Sequence, residues 1–448
     1  PTIIPCSPAS SFTRESRMSD LFGTHLPWWA WGLMGIGVIA LVAVIGALFL
    51  PDWKQPEYTL GPDVEPGSDE FVHAAAAVLN DPVFRGGEVT LLQNGDAFYP
   101  AMLEAIRAAR DTINFEVYIF EPDEIGRRFM DAFMERARAG VEVRLLVDWF
   151  GSFKLKAAHV EELKRGGVRV EQFRKLGLPH LVRIYRRTHR RAIVIDGRVA
   201  FTGGAAVSKK WDGDVRTEHE WRDNMTRFTG PLVCGIQSAF ADSWVYCTGE
   251  VLAGSRFFPP TEPGPGPCGV TVASSPSDSE QPVRLLFWLS FTAARRRLWV
   301  CNSYFIPDHR LRTAVIERAR AGVDVRILIP GNHTDAVPVQ LAGRSYYDEL
   351  LAAGVRIFEY QPAMMHAKNV TVDDAWSVVG SANMDERSME LNEENVVGIA
   401  DAGLAQAIAA GLETDFTRSR EVRLEEWRRR PVWQRGLEML AKALIEQY

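Results

Sequence analysis

Glu135–Val147 reads E-R-A-R-A-G-V-E-V-R-L-L-V, and Glu317–Ile329 reads E-R-A-R-A-G-V-D-V-R-I-L-I. Ten of the thirteen positions are identical at a fixed offset of 182. Each copy is a charged helix end, a glycine that stops the helix, and an aliphatic run that reads as a buried strand. A β-like segment lies upstream of each, Ile113–Phe120 and Leu298–Ile306, and Pro-Asp follows each within two residues. Two such matches in the same order predict an internal duplication, each half an α/β layer structure.

The chain has 448 residues, 46% hydrophobic and 24% charged, with 51 Lys+Arg against 57 Asp+Glu. This excludes a largely disordered chain and a globally basic nucleic-acid binder. Five cysteines fall in no C-x-x-C pair, so neither a zinc knuckle nor a disulfide framework is indicated.

The chemistry repeats with the fold. His189-Arg190-Arg191-Ala192-Ile193-Val194-Ile195-Asp196 has a counterpart 177 residues on, His366-Ala367-Lys368-Asn369-Val370-Thr371-Val372-Asp373. Both are H-x-[K/R]-x4-D. The β-branched runs predict strands, on which His and the cation at i and i+2 share a face. An imidazole beside a fixed cation suits a phosphoryl group: the nitrogen attacks phosphorus and the cation holds the oxygens. Asp196 and Asp373 are expected to accept a ring N–H and orient it. Gly203-Gly204, matched by Gly380-Ser381, are expected to let backbone amides approach an anion.

These motifs resemble the phospholipase D superfamily, marked by paired H-x-K-x4-D, and more closely its bacterial cardiolipin synthase branch. The resemblance covers about residues 88–430. It includes I-F-E-P-D-E-I-G (119–126), R-L-L-V-D-W-F-G-S (144–152), W-R-D (221–223), S-Y-F-I-P-D (303–308), G-S-A-N-M-D-E-R-S (380–388) and L-N-E-E (391–394). It implies two α/β/α sandwich domains with pseudo-twofold symmetry, facing each other across a cleft to which each gives one His. It also implies a covalent phosphatidyl-histidine, with His189 expected as nucleophile and His366 as acid and base, the near-symmetry of the motifs leaving the reverse open. Asp223 and Glu394 match the family's acids and are expected to orient a catalytic His. Arg191, Lys368, Ser381, Asn383, Gly203 and Gly204 are expected to bind phosphate. No cofactor and no metal are expected. The substrate implied is an anionic phospholipid, phosphatidylglycerol, and not nucleic acid. Two positions depart from the pattern: Arg191 replaces the usual Lys, and Ala206 stands where the family carries Asn, as Asn383 does in the second half. Hydrolysis by the same chemistry, an endonuclease and a non-catalytic lipid scaffold are the competing readings.

Trp28–Leu50 is a 23-residue stretch without charge. As a helix it reaches about 34 Å at ~1.5 Å per residue, enough to cross a ~30 Å hydrocarbon layer. One transmembrane helix is therefore expected, making the chain a single-pass protein of the bacterial inner membrane. The expected organisation is a tail over 1–27, the span over 28–50 and a tether over 51–82. A first domain follows over 83–252, a linker over 253–282, a second domain over 283–416 and a basic amphipathic helical segment over 417–448. Lys164–Arg191 carries ten Lys/Arg and one acid, Glu171, and is expected to meet anionic headgroups. Arg418–Lys442, with Trp427 and Trp433, reads equally as an interfacial helix or as one packed on the body.

Overall fold

The computed structural model describes residues 28–48, 58–61, 64–175, 185–276 and 281–445. Pro1–Thr59 forms one unit and Leu60–Tyr448 another. In the first unit lies helix α1 (Trp28–Leu48), with exposed side chains from Trp31 to Val42. Among the described residues no helix is long and apolar enough to cross a membrane, so the span expected over 28–50 is not shown. The tail over 1–27 lies outside the described residues.

The second unit opens with α2 (Asp69–Leu79) and then, through its first half, β1 (Phe84–Arg85), β2 (Val89–Gln93), α3 (Gly95–Ala108), β3 (Thr112–Val117), α4 (Glu124–Arg138), β4 (Glu142–Asp148), α5 (Ala157–Arg165), β5 (Arg169–Phe173), β6 (Ala192–Ile195), β7 (Val199–Gly203), β8 (Asn224–Thr229) and α6 (Leu232–Thr248). The second half holds β9 (Cys268–Ser274), α7 (Pro282–Ala293), β10 (Arg297–Cys301), α8 (His309–Arg320), β11 (Asp324–Pro330), α9 (Val337–Arg344), α10 (Tyr347–Ala352), β12 (Arg356–Tyr360), β13 (Asn369–Val372), β14 (Trp376–Gly380), β15 (Glu394–Ala400), α11 (Ala402–Thr417), β16 (Ser419–Val422), α12 (Leu424–Arg428) and α13 (Val432–Ile445).

The repeat is visible in the sheets. The first runs β2-β8-β7-β6-β3-β4-β5, and the second repeats that order as β9-β15-β14-β13-β10-β11-β12, adding β1 and β16 at its edges. The repeated stretches are α4–β4 and α8–β11, each helix stopped by a left-handed glycine, Gly140 (φ 91°) or Gly322 (φ 88°). The Pro-Asp signals are helix starts: Asp123 accepts the Gly126 N–H, and Asp308 accepts those of Arg310 and Leu311.

Period-two alternation divides each motif strand between two cores. Ile193 and Ile195 face an outer core with α3 and α4, while Ala192 and Val194 face inward. The inner core is common to both halves and joins Leu146, Phe228, Phe240 and Trp244 to Trp299, Phe358, Ile399 and Phe416. It holds α6 and α11 between the sheets, so each sheet is sandwiched by helices.

Four expected assignments are corrected. The linker over 253–282 contains β9, which pairs along its whole length with β15. The tether over 51–82 contains α2, capped by Ser68, whose hydroxyl accepts the Phe71 N–H, and packed into the second half's outer core. The Pro/Gly/Ser composition that suggested linkers belongs to the turns around these elements. Likewise β1 joins the second sheet, not the first domain. The segment over 417–448 is not helix alone, since β16 extends that sheet beside β12.

Phe71 is fully buried with its ring edge-on to Trp376, centroids 5.0 Å apart. Phe71→Ala is expected to destabilise the protein by about 3 kcal/mol in denaturant unfolding, as for a large core side chain. A tether residue would cost less than about 0.5 kcal/mol.

Candidate active site

His189 and His366 each stand three residues before a strand, β6 and β13, where the two halves touch. The backbone makes the same contact twice with the halves exchanged. The His189 N–H donates to the Glu393 carbonyl and the His366 N–H to the Arg222 carbonyl, both at 2.8 Å. These crossings bring each imidazole to a carboxylate of the other half. His189 Nδ1 lies 3.0 Å from both oxygens of Glu394, and His366 Nδ1 lies 2.7 Å from Asp223 Oδ2. All four side chains are buried.

Each carboxylate is fixed from behind. The Ser381 hydroxyl donates to Glu394 at 2.5 Å, and the Trp211 indole N–H donates to Asp223 at 2.8 Å. Gly204, the counterpart of Ser381, is small for a steric reason. A Cβ there would sit 2.3 Å from Asp223 Oδ1. Rings wall the imidazoles in: Tyr118 against His189, Trp211 and Trp221 against His366, with centroids 5.2–5.3 Å apart.

The cations share the histidine faces, as i, i+2 spacing predicts. Lys368 Nζ lies 3.0 Å from His366 Nδ1 and 3.3 Å from Nε2, and donates to Ser303 Oγ at 2.7 Å. Arg191 is buried and turns its guanidinium to the carbonyls of His189 and Ala205. The Asn383 side chain is buried and its Oδ1 has no hydrogen-bond partner. At Ala206 only the carbonyl takes part, accepting the Tyr99 hydroxyl at 2.7 Å.

Burial, and then Arg191, pulls His189 down to about 4. Burial, and then Lys368, does the same to His366. Burial also brings Lys368 down to about 8. It opposes ionisation of Asp223 and Glu394, yet the histidines and cations beside them outweigh it and hold both below the usual carboxylate range. At neutral pH the site therefore holds two carboxylates, two cations and two neutral imidazoles. With Nδ1–H given to a carboxylate, each ring keeps Nε2 for attack or proton transfer. Among the described residues no group of three or more His, Cys, Asp or Glu side chains is placed to hold a metal ion.

Three expectations are corrected. Asp196 and Asp373 touch neither ring. Asp196 accepts the backbone N–H groups of Arg110, Asp111 and Thr112, and Asp373 those of Arg295, Arg296 and Arg297. They sit past the far ends of β6 and β13 and clamp the starts of β3 and β10. The amides of Gly204 and Ser381 do not await an anion; they donate to the carbonyls of Asn224 and Asn395. Gly203 is small because a Cβ would sit 2.3 Å from the Asn224 carbonyl. Third, the basic stretch expected to meet headgroups does not present all its charges, since Arg187, Arg190 and Arg191 are buried. Arg187 pairs with Asp148 at 2.9 Å and Arg190 with Asp242 at 2.8 Å, bracing the loop that carries His189.

Sequence reasoning missed Trp211, Ser303 and Asn395. Asn395 donates to the Arg191 carbonyl and accepts its N–H, locking the first motif to the second sheet. Its signal was available: Asp223-Asn224 and Glu394-Asn395 repeat at an offset of 171. Trp211 and Ser303 have no such echo.

The sequence profile described as cardiolipin synthase, PLD-like domain, matches residues 102–214 and 290–418, both motifs included. Cardiolipin synthase A of Pseudomonas aeruginosa is 36% identical over 356 residues, 79% of this chain and 72% of that protein. The chain belongs to the cardiolipin synthase family. Cardiolipin synthase of Geobacillus thermodenitrificans is 34% identical over 384 residues, 85% of this chain and 76% of that one. Among solved structures, phosphatidylserine synthase of Haemophilus influenzae shares the fold with a TM-score of 0.63, at 16% identity over 84% of this chain and 97% of that one. Asp223 lies beyond the first matched block of the cardiolipin synthase profile, and Glu394 lies inside the second.

The corrected roles separate by experiment. Asp373→Ala strands three backbone donors and is expected to cost about 3 kcal/mol in unfolding free energy, with kcat per folded molecule nearly unchanged. Asp223→Asn takes the anionic partner from His366 and Lys368 and is expected to lower kcat per folded molecule about a hundredfold, with a stability cost of about 3 kcal/mol.

Proposed function

We propose that this chain joins two phosphatidylglycerols into cardiolipin and releases glycerol. The observation that carries the reading is the pair of imidazoles facing one site, each fixed by a carboxylate of the other half and flanked by a buried cation. Family membership supplies the substrate class.

In the first step His189 Nε2 attacks the phosphorus of one phosphatidylglycerol. The P–O bond to glycerol breaks, His366 protonates the leaving alkoxide, and a phosphatidyl-His189 remains. In the second, His366 takes the proton from the headgroup hydroxyl of another phosphatidylglycerol. That oxygen attacks phosphorus, the P–N bond breaks, and cardiolipin leaves. His189 is assigned as nucleophile and His366 as acid and base on the family resemblance, the exchanged assignment giving the same products. Lys368 Nζ lies within 3.3 Å of His366 Nε2 and donates to the His366 carbonyl, as Arg191 does to that of His189. Against the pull of Lys368, a bound negative phosphodiester favours the protonated form of His366, whose Nδ1–H Asp223 accepts. Lys368, Arg191 and the Asn383 amide hold the phosphoryl oxygens.

A lipid substrate is further supported by the turn after β4. Phe150 and Phe153 are 57% and 63% exposed there, and the intervening Ser152 hydroxyl donates to the carbonyl of Tyr118, whose ring packs on His189. The reading includes a single membrane-spanning helix over 28–50, in a bacterial inner membrane, for which the uncharged run is the support.

The test is the full-length protein in phosphatidylglycerol vesicles, with lipids and free glycerol resolved. Cardiolipin and glycerol in equal amounts are expected; phosphatidic acid alone replaces transfer by hydrolysis. A second measurement follows Lys368, which loses its charge as pH rises through about 8. Wild-type KM for phosphatidylglycerol is expected to climb above that pH, whereas Lys368→Arg, charged throughout, holds its KM at least one pH unit further. Identical alkaline limbs take Lys368 out of phosphate binding.

A further inference from the structure

Helix α13 is amphipathic with its apolar side outward. Val432, Trp433, Leu437, Met439, Leu440 and Leu444 are 45–80% exposed. The inward face instead holds Ala441 and the buried Glu438, which pairs with Arg430 at 2.7 Å. At about 100° per residue the outward side chains cover roughly 160° of the helix, completed by Gly436 and Ala443 and free of charge. A helix packed only against its own body has the opposite pattern.

Charge selects the occupant. Arg435 and Lys442 border one edge of the apolar arc, and Arg428 and Arg429 precede it. From Arg418 to Leu444 there are eight basic residues and four acids, of which Glu438 lies beneath the helix and Glu425 and Glu426 lie on α12. Asp348 offsets the charge of Arg428, to whose carbonyl Arg435 reaches, so the positive rim is made by Arg429, Arg435 and Lys442. A second copy docked face to face would bring this excess against itself, whereas anionic headgroups neutralise it. Trp433 stands at the helix start, where an indole suits the water–lipid boundary.

We propose that α13 is an interfacial helix that lies in the surface of an anionic phospholipid bilayer and seats the catalytic unit on it. The inference rests on the phospholipid reading for its purpose, though not for binding itself. The helix also adjoins the site's second half. Lys442 Nζ lies 4.5 Å from the Tyr346 ring, and Tyr346 lines a cavity of about 260 Å³ with Met384 and Asp385, the residues after Asn383.

The experiment uses the full chain with vesicles of phosphatidylglycerol and phosphatidylcholine carrying brominated acyl chains. The fluorescence difference between wild type and Trp433→Phe isolates Trp433, and bromine is expected to quench it by at least half. Leu437→Asp with Leu440→Asp is expected to lower turnover on vesicles at least tenfold and to leave turnover of a short-chain phosphatidylglycerol, dispersed as monomers, within twofold. Absent quenching with unchanged vesicle turnover overturns the proposal. So does an equal loss on both substrates, which makes the helix structural, or a lipid-free dimer that the double variant dissociates. Quenching without cardiolipin from any lipid leaves the docking intact and overturns the transfer reading instead.

Discussion

Two buried carboxylates can be tolerated in this interior only because each meets an imidazole and a cation, and the imidazole comes from the other half. An unpaired buried charge costs several kcal/mol. A separated first half would leave Asp223 without His366 and Lys368, and a separated second half would leave Glu394 without His189 and Arg191. The crossing therefore joins the duplicated halves into one functional body. Their common inner core and the paired backbone bonds at His189 and His366 are the structural counterpart of that requirement.

The rest of the motif serves to hold this arrangement still. Asp196 and Asp373 tie the far ends of the motif strands to β3 and β10, so the histidines leave the opposite ends at a fixed angle. Gly204 clears space for one acid, and Ser381 hydrogen-bonds the other. The two acids are held differently: Asp223 receives the Trp211 indole N–H, and Glu394 the Ser381 hydroxyl and the Asn392 amide.

Much of this was legible before any coordinates. The duplicated stretch announced two equivalent sheets, and the i, i+2 spacing placed a cation beside each histidine. Asp223 and Glu394 were singled out, but by resemblance, since no local pattern says that each serves the other half. What stayed hidden is long-range. Asp196, seven residues from His189, looked like its partner because chain distance stood in for distance in space, yet an intervening strand carries it to the opposite end. The helix α2 and strand β9 sat in segments whose Pro and Gly content spoke of linkers. Short elements flanked by turns have compositions dominated by those turns, and only their partners, Trp376 and β15, reveal them.

Arg191 and Lys368 make the duplicated motifs unequal. In two identical halves the rings would start equivalent, and the bound substrate and the shared proton would decide which attacks and which shuttles protons. Here burial brings Lys368 into a range where its own proton is exchangeable, close to His366 Nε2. Arg191 keeps its charge and donates to the carbonyls of His189 and Ala205, as Lys368 does to that of His366. The departure from the family pattern at Arg191, together with Ala206 opposite Asn383, makes the two halves of the site differ in the groups beside their histidines. It leaves the paired carboxylates, on which the fold depends, untouched.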